Sequence, residues 1–309
     1  MNFALLRELC GIHAPSGNEV ALKEFLLNYI KKNKKNWCVK PIIHQGGELQ
    51  DALILEFGAP RTAVFAHMDS IGFTVRYGKQ LIKIGGPKTE EGYQLVGNDS
   101  RGLVDAELVV FEDENGNKQL EYLADRKLDR GTELVFKPNW RENKNYIQCC
   151  YMDNRLGIFN ALKLAENLKD GLICFTCYEE HGGGSAQNLG RFIFEKFGVQ
   201  QALISDITWV TEGVRAGKGV AISMRDSGIP RRSYLNKIIS LAEKSKIKFQ
   251  LEVEAAGGSH GNALQRSSFP IDWCFIGAPE DFVHSPNEKV HKEDIYAMVE
   301  IYAYLMKKL

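Results

Sequence analysis

The chain has no excess of charge of either sign and no long hydrophobic run. Its 39 Lys and Arg residues balance 39 Asp and Glu residues, so the formal net charge is zero at pH 7. Proteins that bind nucleic acids or membrane surfaces usually show a basic footprint, which this composition lacks. No apolar run approaches the roughly 20 residues that cross a bilayer. We therefore expect neither a nucleic acid nor a membrane as a partner.

Signals for secretion are also missing. The N-terminus has no charged start followed by a long apolar core, and the seven cysteines are odd in number, which suits a reducing compartment. Cys174 and Cys177 have the spacing of a redox or zinc motif. On a buried strand, however, positions i and i+3 point to opposite faces, so the two thiols cannot chelate one ion. These absences predict a cytoplasmic protein.

Two kinds of sequence divide the chain. Residues 1–68 and 148–309 interleave short apolar runs with helical patterns, which is typical of a layered α/β domain. Residues 69–147 carry short β-type stretches broken by turn signals, among them Asn115-Gly116, a strong hairpin signal. The sequence therefore predicts a layered α/β/α catalytic domain with a mixed sheet, interrupted by a small all-β insertion domain.

Five residues of metal-binding type stand where strands are expected to end. They are His67, Asp153, Glu180, Asp206 and His284. In an open α/β sheet, sites form at the carboxyl ends of the strands, so these side chains can converge in one crevice. Two histidines and three carboxylates suit a pair of divalent cations, because a carboxylate can bridge two metals.

Two residues close to the candidate ligands in the sequence are predicted to have chemical roles as well. Asp69 follows His67 by two positions, and a metal-bound histidine normally donates its other ring N–H to a carboxylate or carbonyl. Glu179 precedes Glu180, so one carboxylate could bind metal while the other acts as a general base. Each residue taken alone has a plainer interpretation, such as a helix N-cap for Asp153. The ordered set favours a metal centre.

With these residues in this order, the sequence resembles the TET-type metallo-aminopeptidases. This is a family of glutamyl and deblocking aminopeptidases whose members have also been called endoglucanases. The matching stretches lie at residues 14–19, 66–73, 152–157, 178–180, 205–208, 256–259 and 283–286. Carboxypeptidase and deacylase relatives insert their second domain between the fourth and fifth ligands. Here the long β-rich interval lies between His67 and Asp153, which favours the aminopeptidase type.

The resemblance implies how the ligands are shared. His67, Asp153 and Asp206 would hold one metal ion, and Asp153, Glu180 and His284 would hold the other, with Asp153 bridging the two. Two divalent ions per chain are therefore expected, with zinc as the leading candidate and cobalt or manganese as alternatives.

The resemblance also implies catalytic roles and an activity. Glu179 would be the general base, Asp69 would orient His67, and the peptide bond between Asp153 and Asn154 would be cis. The expected reaction is hydrolysis of N-terminal residues from peptides by a water activated between two metals. The family often assembles through its β domain, so a homo-oligomer is expected.

Some positions depart from the family pattern. Ser70 stands where an acidic residue is common, His181 follows the Glu-Glu pair, and Ser259-His260 replaces a frequent Thr-Asp. The roles of His181, Ser259 and His260 stay open, and so does the preferred N-terminal residue. Two other functions also stay open: an amidohydrolase or deacylase on the same scaffold, and a catalytically inactive metal-binding protein.

Overall fold

A computed structural model describes residues 1–309, the whole of the given sequence. Seventeen strands lie along the chain. In order they are β1 (Ile42–Gln45), β2 (Leu53–Phe57), β3 (Ala63–His67), β4 (Gly72–Val75), β5 (Leu81–Ile84), β6 (Gln94–Asp99), β7 (Gly102–Glu112), β8 (Lys118–Leu123), β9 (Glu133–Phe136), β10 (Arg141–Glu142), β11 (Tyr146–Gln148), β12 (Gly171–Thr176), β13 (Gln201–Trp209), β14 (Val220–Arg225), β15 (Phe249–Val253), β16 (Asp272–Asp281) and β17 (Lys289–His291).

Seven α-helices accompany the strands. They are α1 (Ala4–Cys10), α2 (Val20–Asn33), α3 (Met152–Ala165), α4 (Ser185–Phe197), α5 (Arg232–Ser245), α6 (His260–Gln265) and α7 (Lys292–Leu305). Short 3₁₀ turns occupy Lys34–Asn36 and Gly47–Leu49. None of the helices combines the length and the apolar character needed to cross a membrane.

The larger sheet is mixed and has eleven strands. At its centre β12, β3, β13 and β16 lie side by side and run parallel, while β2 and β14 flank them in the antiparallel sense. The parallel strands are buried along almost their whole length, as expected for strands covered on both faces. Their carboxyl ends meet at one edge, which is where a ligand site forms in such a sheet.

Helices pack on this sheet in two groups. The first contains α3, which lies on β3 and β13 and contacts α1 and α7; α7 in turn contacts α5 and β16. In the second group α4 lies on β12, α6 lies on β16, and the two helices touch each other. The predicted class, a layered α/β fold with a mixed sheet, is confirmed.

The smaller sheet is antiparallel and has six strands in the order β5-β4-β9-β6-β7-β8. A bridge between Gln80 and Glu121 brings its two edges together, so it is nearly closed. The Asn115-Gly116 turn joins β7 to β8 as a hairpin, as predicted. Strands β10 and β11 return to the larger sheet, where β11 pairs with β17. The predicted limits of the two domains, residues 1–68 with 148–309 and residues 69–147, stay a prediction.

One apolar core runs through both sheets. Phe136 at the end of β9 stacks on Tyr151, which precedes α3, with ring centroids 6.4 Å apart. Phe136 also meets Phe73 of β4 edge to face at 5.9 Å. The small sheet is therefore held against the larger one by shared packing, and its loops have fixed positions relative to the sheet edge.

Candidate metal centre

The five predicted ligands converge at the carboxyl edge of the central parallel strands. His67 is the last residue of β3, and Glu180 lies in the loop after β12. Asp153 lies in the first turn of α3, where its backbone is not helical, and His284 lies in the loop between β16 and β17. Asp206 does not end its strand, contrary to the prediction, because β13 continues in register with β16 as far as Trp209.

Two groups of three donor residues form within this edge. His67, Asp153 and Asp206 make the first, and Asp153, Glu180 and His284 make the second; in each group the donor atoms lie within 4.8 Å of one another. His67 Nε2 lies 3.1 Å from Asp153 Oδ1 and 3.5 Å from Asp206 Oδ2. His284 Nε2 lies 3.4 Å from Asp153 Oδ2 and 3.2 Å from Glu180 Oε2. Asp153 thus presents one oxygen to each group.

Asp69 connects the first group to the Glu-Glu pair. Its carbonyl oxygen lies 3.1 Å from His67 Nδ1, and its Oδ1 lies 3.4 Å from the same nitrogen. The backbone N–H groups of Glu179 and Glu180 each donate to the Asp69 carboxylate at 2.9 Å, and the Ser16 hydroxyl donates to it as well. Burial alone would raise the pKa of Asp69, but these hydrogen bonds and the His67 imidazole lower it to about 2.

A contact from the smaller sheet orients His284. Its Nδ1 lies 3.1 Å from the carbonyl oxygen of Gly86, in the segment that follows β5. A Cβ atom on Gly86 would lie 3.2 Å from that nitrogen, so glycine permits the close approach. The second ring nitrogen of each candidate histidine therefore faces a carbonyl oxygen, the arrangement usual for metal-bound imidazoles.

The acidic groups of the centre are short of positive charge. Burial raises the pKa of Glu180 to about 7 and that of Asp206 to about 6, and the nearby Asp153 carboxylate adds to both shifts. Burial also raises the pKa of Glu179 well above its usual value. One Glu180 oxygen, Oε1, is buried without a hydrogen-bond partner. Since divalent cations would relieve each of these costs, the donor set fits a pair of them.

Two buried glutamates that the sequence reading missed stand behind the ligands. Glu288 accepts hydrogen bonds from the backbone N–H of His284 at 3.1 Å and from that of Asp153 at 3.3 Å. Glu280, in β16, is 1% exposed and neither of its carboxylate oxygens has a partner. The only hint in the sequence is their proximity to His284, and that does not separate a buried acid from an exposed one.

The sequence leaves the roles of three residues open, and none of them lines the cavity beside the candidate ligands. They are His181, Ser259 and His260. His260 is fully buried, meets His67 edge to face at 5.8 Å, and lies within hydrogen-bond distance of Thr176 Oγ1. Burial, and to a smaller extent the charge that a protonated His67 would place beside it, lower the pKa of His260 to about 3. Ser259 caps α6 by accepting from the Gly261 N–H, and the exposed His181 accepts from the Gly85 N–H. Their contacts are structural.

A cavity of about 300 Å³ opens beside the ligand groups. Glu179 lines it together with the five candidate ligands. The peptide bond between Asp153 and Asn154 is cis, in agreement with the expectation from the family resemblance. A pocket with converging acids, imidazoles and shifted pKa values has the features of an active site.

Comparisons with known proteins agree with this fold. A putative aminopeptidase of Acetivibrio thermocellus is 25% identical, over 97% of this chain and 96% of its own length. The aminopeptidase APDkam598 of the archaeon Desulfurococcus kamchatkensis superimposes with a TM-score of 0.85 at 22% identity, covering 99% of this chain and 94% of that one. The TET1 peptidase of Pyrococcus horikoshii gives 0.81 at 24% identity, covering 99% of each. At these identities the structural likeness concerns the fold.

The family itself follows from a sequence match. The model of the family described as M42 glutamyl aminopeptidase matches residues 115–301, which is more than half of the chain. The matched segment contains Asp153, Glu179, Glu180, Asp206 and His284, and the resemblance to TET-type aminopeptidases is confirmed. The chain therefore belongs to the M42 glutamyl aminopeptidase family and is a peptidase.

Proposed function

We propose that this chain is a dinuclear metallo-aminopeptidase that removes N-terminal residues from peptides. The observation that carries the proposal is the position of Asp153, whose two oxygens face two separate groups of donors. A carboxylate so placed could serve as a ligand to two divalent cations at once. A single metal ion would need only one of these groups.

His67, Asp153 and Asp206 would hold one cation, and Asp153, Glu180 and His284 the other. Zinc suits this mixture of imidazole and carboxylate, and cobalt or manganese would also fit it. When bound, the pair would polarise the scissile carbonyl and make the attacking water more acidic. The remaining chemistry belongs to the side chains of the protein.

Glu179 acts as the general base in this proposal. It lines the cavity, and its backbone N–H is anchored on the Asp69 carboxylate. Its carboxylate takes a proton from the attacking water and delivers it to the amine that leaves. Asp69 is a positioning residue in this proposal. It orients the His67 ring and holds the loop that carries Glu179 and Glu180.

A substrate panel tests the function directly. Aminoacyl anilides with a free amine should be hydrolysed by the metal-loaded protein, and N-acylated amino acids and peptides should not, because an aminopeptidase requires the free amine. Chelation followed by dialysis should abolish the activity, and zinc, cobalt or manganese should restore it. Hydrolysis restricted to the N-acylated compounds would make the protein a deacylase. No hydrolysis of any compound after metal reconstitution would favour an inactive metal-binding protein.

We also propose that the chain forms a homo-oligomer in the cytoplasm. The Pyrococcus horikoshii relative can assemble into a tetrahedron or a large octahedral shell, and the small sheet of this chain exposes several large apolar side chains, including Leu103, Tyr77 and Leu123. Since exposed apolar patches mark interaction sites, we propose that these side chains lie in the interface between copies of the chain. All seven cysteines are free thiols, which suits a reducing compartment.

A further inference from the structure

The cavity beside the candidate metal centre carries more negative charge than the metals would need. Seven carboxylates line it, and no lysine or arginine does. Four of the seven belong to the centre described above; the other three are Asp226, Glu252 and Glu254. Two divalent cations would balance four charges, so the cavity keeps an excess of about three negative charges when loaded.

The three additional carboxylates come from one corner of the larger sheet. Glu252 lies in β15, Glu254 follows that strand, and Asp226 follows the neighbouring parallel strand β14. Glu252 is 3% exposed and Asp226 is 7% exposed. Burial raises the pKa of Glu252, and the charges of Glu254 and Asp226 raise it further. The three groups are thus close enough to repel one another.

No lysine or arginine forms an ion pair with them; burial raises the pKa of Asp226, and the nearby charge of Arg225 lowers it somewhat against that larger effect. Glu252 accepts a hydrogen bond from the Thr208 hydroxyl, and Asp226 Oδ1 accepts one from the Gly228 N–H, but neither they nor Glu254 form an ion pair. The one guanidinium nearby, that of Arg225, donates through Nε to the carbonyl oxygen of Asp226 at 3.2 Å instead of pairing with its carboxylate. Buried carboxylates without an ion-pair partner are costly, and a cation entering the cavity would lower that cost.

Apolar side chains line the route to these carboxylates. Trp209, which is 40% exposed, stands at the cavity together with Phe275 and Ile207. Gly257 lies beside the Trp209 ring, because a Cβ atom at this position would be 3.4 Å from it, in van der Waals contact. Lysine and arginine bury their methylene stems on such surfaces while the charged head reaches a polar partner, and an indole face also attracts cations.

We propose that this cavity selects peptides whose N-terminal residue is lysine or arginine, with Glu252, Glu254 and Asp226 receiving the cationic head. The inference rests on the proposed aminopeptidase function and names its substrate class. An N-terminal glutamate, the residue in the family's name, would enter a cavity that offers it no cationic side chain. The same acidic surplus that attracts lysine repels glutamate.

Kinetics on three substrates test the selection. Norleucine has the carbon chain of lysine without the ammonium group, so lysyl, norleucyl and glutamyl 4-nitroanilides differ mainly in charge. A hydrogen-bonded charge contact contributes about 1.5–3 kcal/mol, so kcat/KM for the lysyl substrate should exceed that for the norleucyl substrate by about 10- to 100-fold. Glutamyl hydrolysis should be the slowest. A norleucyl or glutamyl rate equal to or above the lysyl rate overturns the proposal.

Single substitutions test whether the cavity carboxylates cause the preference for an N-terminal lysine. Glu252→Gln and Glu254→Gln should each lower the lysyl-to-norleucyl ratio by about tenfold, and the exposed Glu243→Gln on α5 should leave the ratio unchanged. Glu254 is partly exposed, so its variant still decides the matter if the buried Glu252→Gln protein does not fold. Unchanged ratios in every folded cavity variant would contradict the assignment.

A binding measurement separates this inference from the proposed function. Calorimetry on the metal-loaded Glu179→Gln protein, which should not turn over, can compare lysinamide with norleucinamide. At least tenfold tighter binding of lysinamide supports the cationic subsite even if no peptide is ever cleaved. Equal affinities overturn the subsite, while hydrolysis of norleucyl anilide by the metal-loaded parent protein would leave the aminopeptidase function standing.

Discussion

Glu179 is the general base in the proposed mechanism, so its substitution tests the chemistry most directly at the residue scale. In Glu179→Gln the amide keeps the shape of the side chain but cannot take a proton, so kcat should fall by about 10²–10⁴-fold. Metal content should stay at the parent level, because Glu179 belongs to neither donor group. Steady-state kinetics and elemental analysis of the same preparation check both statements, with Glu243→Gln as the control. Hydrolysis of aminoacyl anilides at the parent rate would remove Glu179 from this role.

Residue type and order allowed the centre to be foreseen, since a histidine or carboxylate after an apolar strand stands out in a sequence. The structure brings His67, Asp153, Glu180, Asp206 and His284 together, and their roles as ligands stay a prediction. Glu288 and Glu252 could not be foreseen in the same way. Their importance comes from burial and from backbone N–H groups or other acids that approach from distant segments. Sequence alone does not tell a buried glutamate from one on the surface.

At the scale of elements, the strand and helix pattern was readable and the strand lengths were not. Residues 63–66 and 172–177 were expected as strands, and they correspond to β3 and β12. Strand β13 was expected to stop at Asp206 and instead runs to Trp209, because its hydrogen-bond register with β16 continues. Pairing between segments some 70 positions apart determines where such a strand ends. That information is not local to either segment.

The contact between α3 and β13 can be tested by substitution. A Cβ atom on Gly157 would overlap the Asn154 side chain and the Ser205 carbonyl oxygen. These are the groups that join the start of α3 to β13, since Asn154 Nδ2 donates to Ser205 O at 2.8 Å. Gly157→Ala should therefore lower the free energy of unfolding by about 1–3 kcal/mol. Activity should fall too, because Asp153 and Asp206 lie on the two displaced elements.

Gly190→Ala in α4 is the matched control. Its Cβ would lie 2.9 Å from Leu264 Cδ2, the end of a flexible side chain, and helix propensity favours alanine over glycine. Denaturant unfolding of both variants should place Gly190→Ala near the parent and Gly157→Ala clearly below it. Equal stability and full activity in the two variants would show that the close packing of α3 on β13 at Gly157 is not required.

At the scale of the whole molecule, the small sheet combines two roles. One of its loops orients His284 through Gly86, while its outer surface exposes Leu103 at 89% and Tyr77 at 56%. If the chain assembles through this sheet, Leu103→Glu should lower the particle mass measured by light scattering after gel filtration, because a charge would be buried in the interface. Ile42→Glu, at an exposed position on the larger sheet, should leave the mass unchanged. An unchanged mass for Leu103→Glu would move the interface elsewhere.

Two cations that share Asp153 are the central feature of the proposed enzyme. Anomalous diffraction at the zinc edge from zinc-loaded crystals of the parent and of His284→Ala tests this most directly. In the parent, two peaks are expected on either side of Asp153, one beside His67 and Asp206 and the other beside Glu180 and His284. In His284→Ala only the first should remain. A single peak in the parent, zinc bound away from Asp153, or both peaks persisting without His284 would contradict the account.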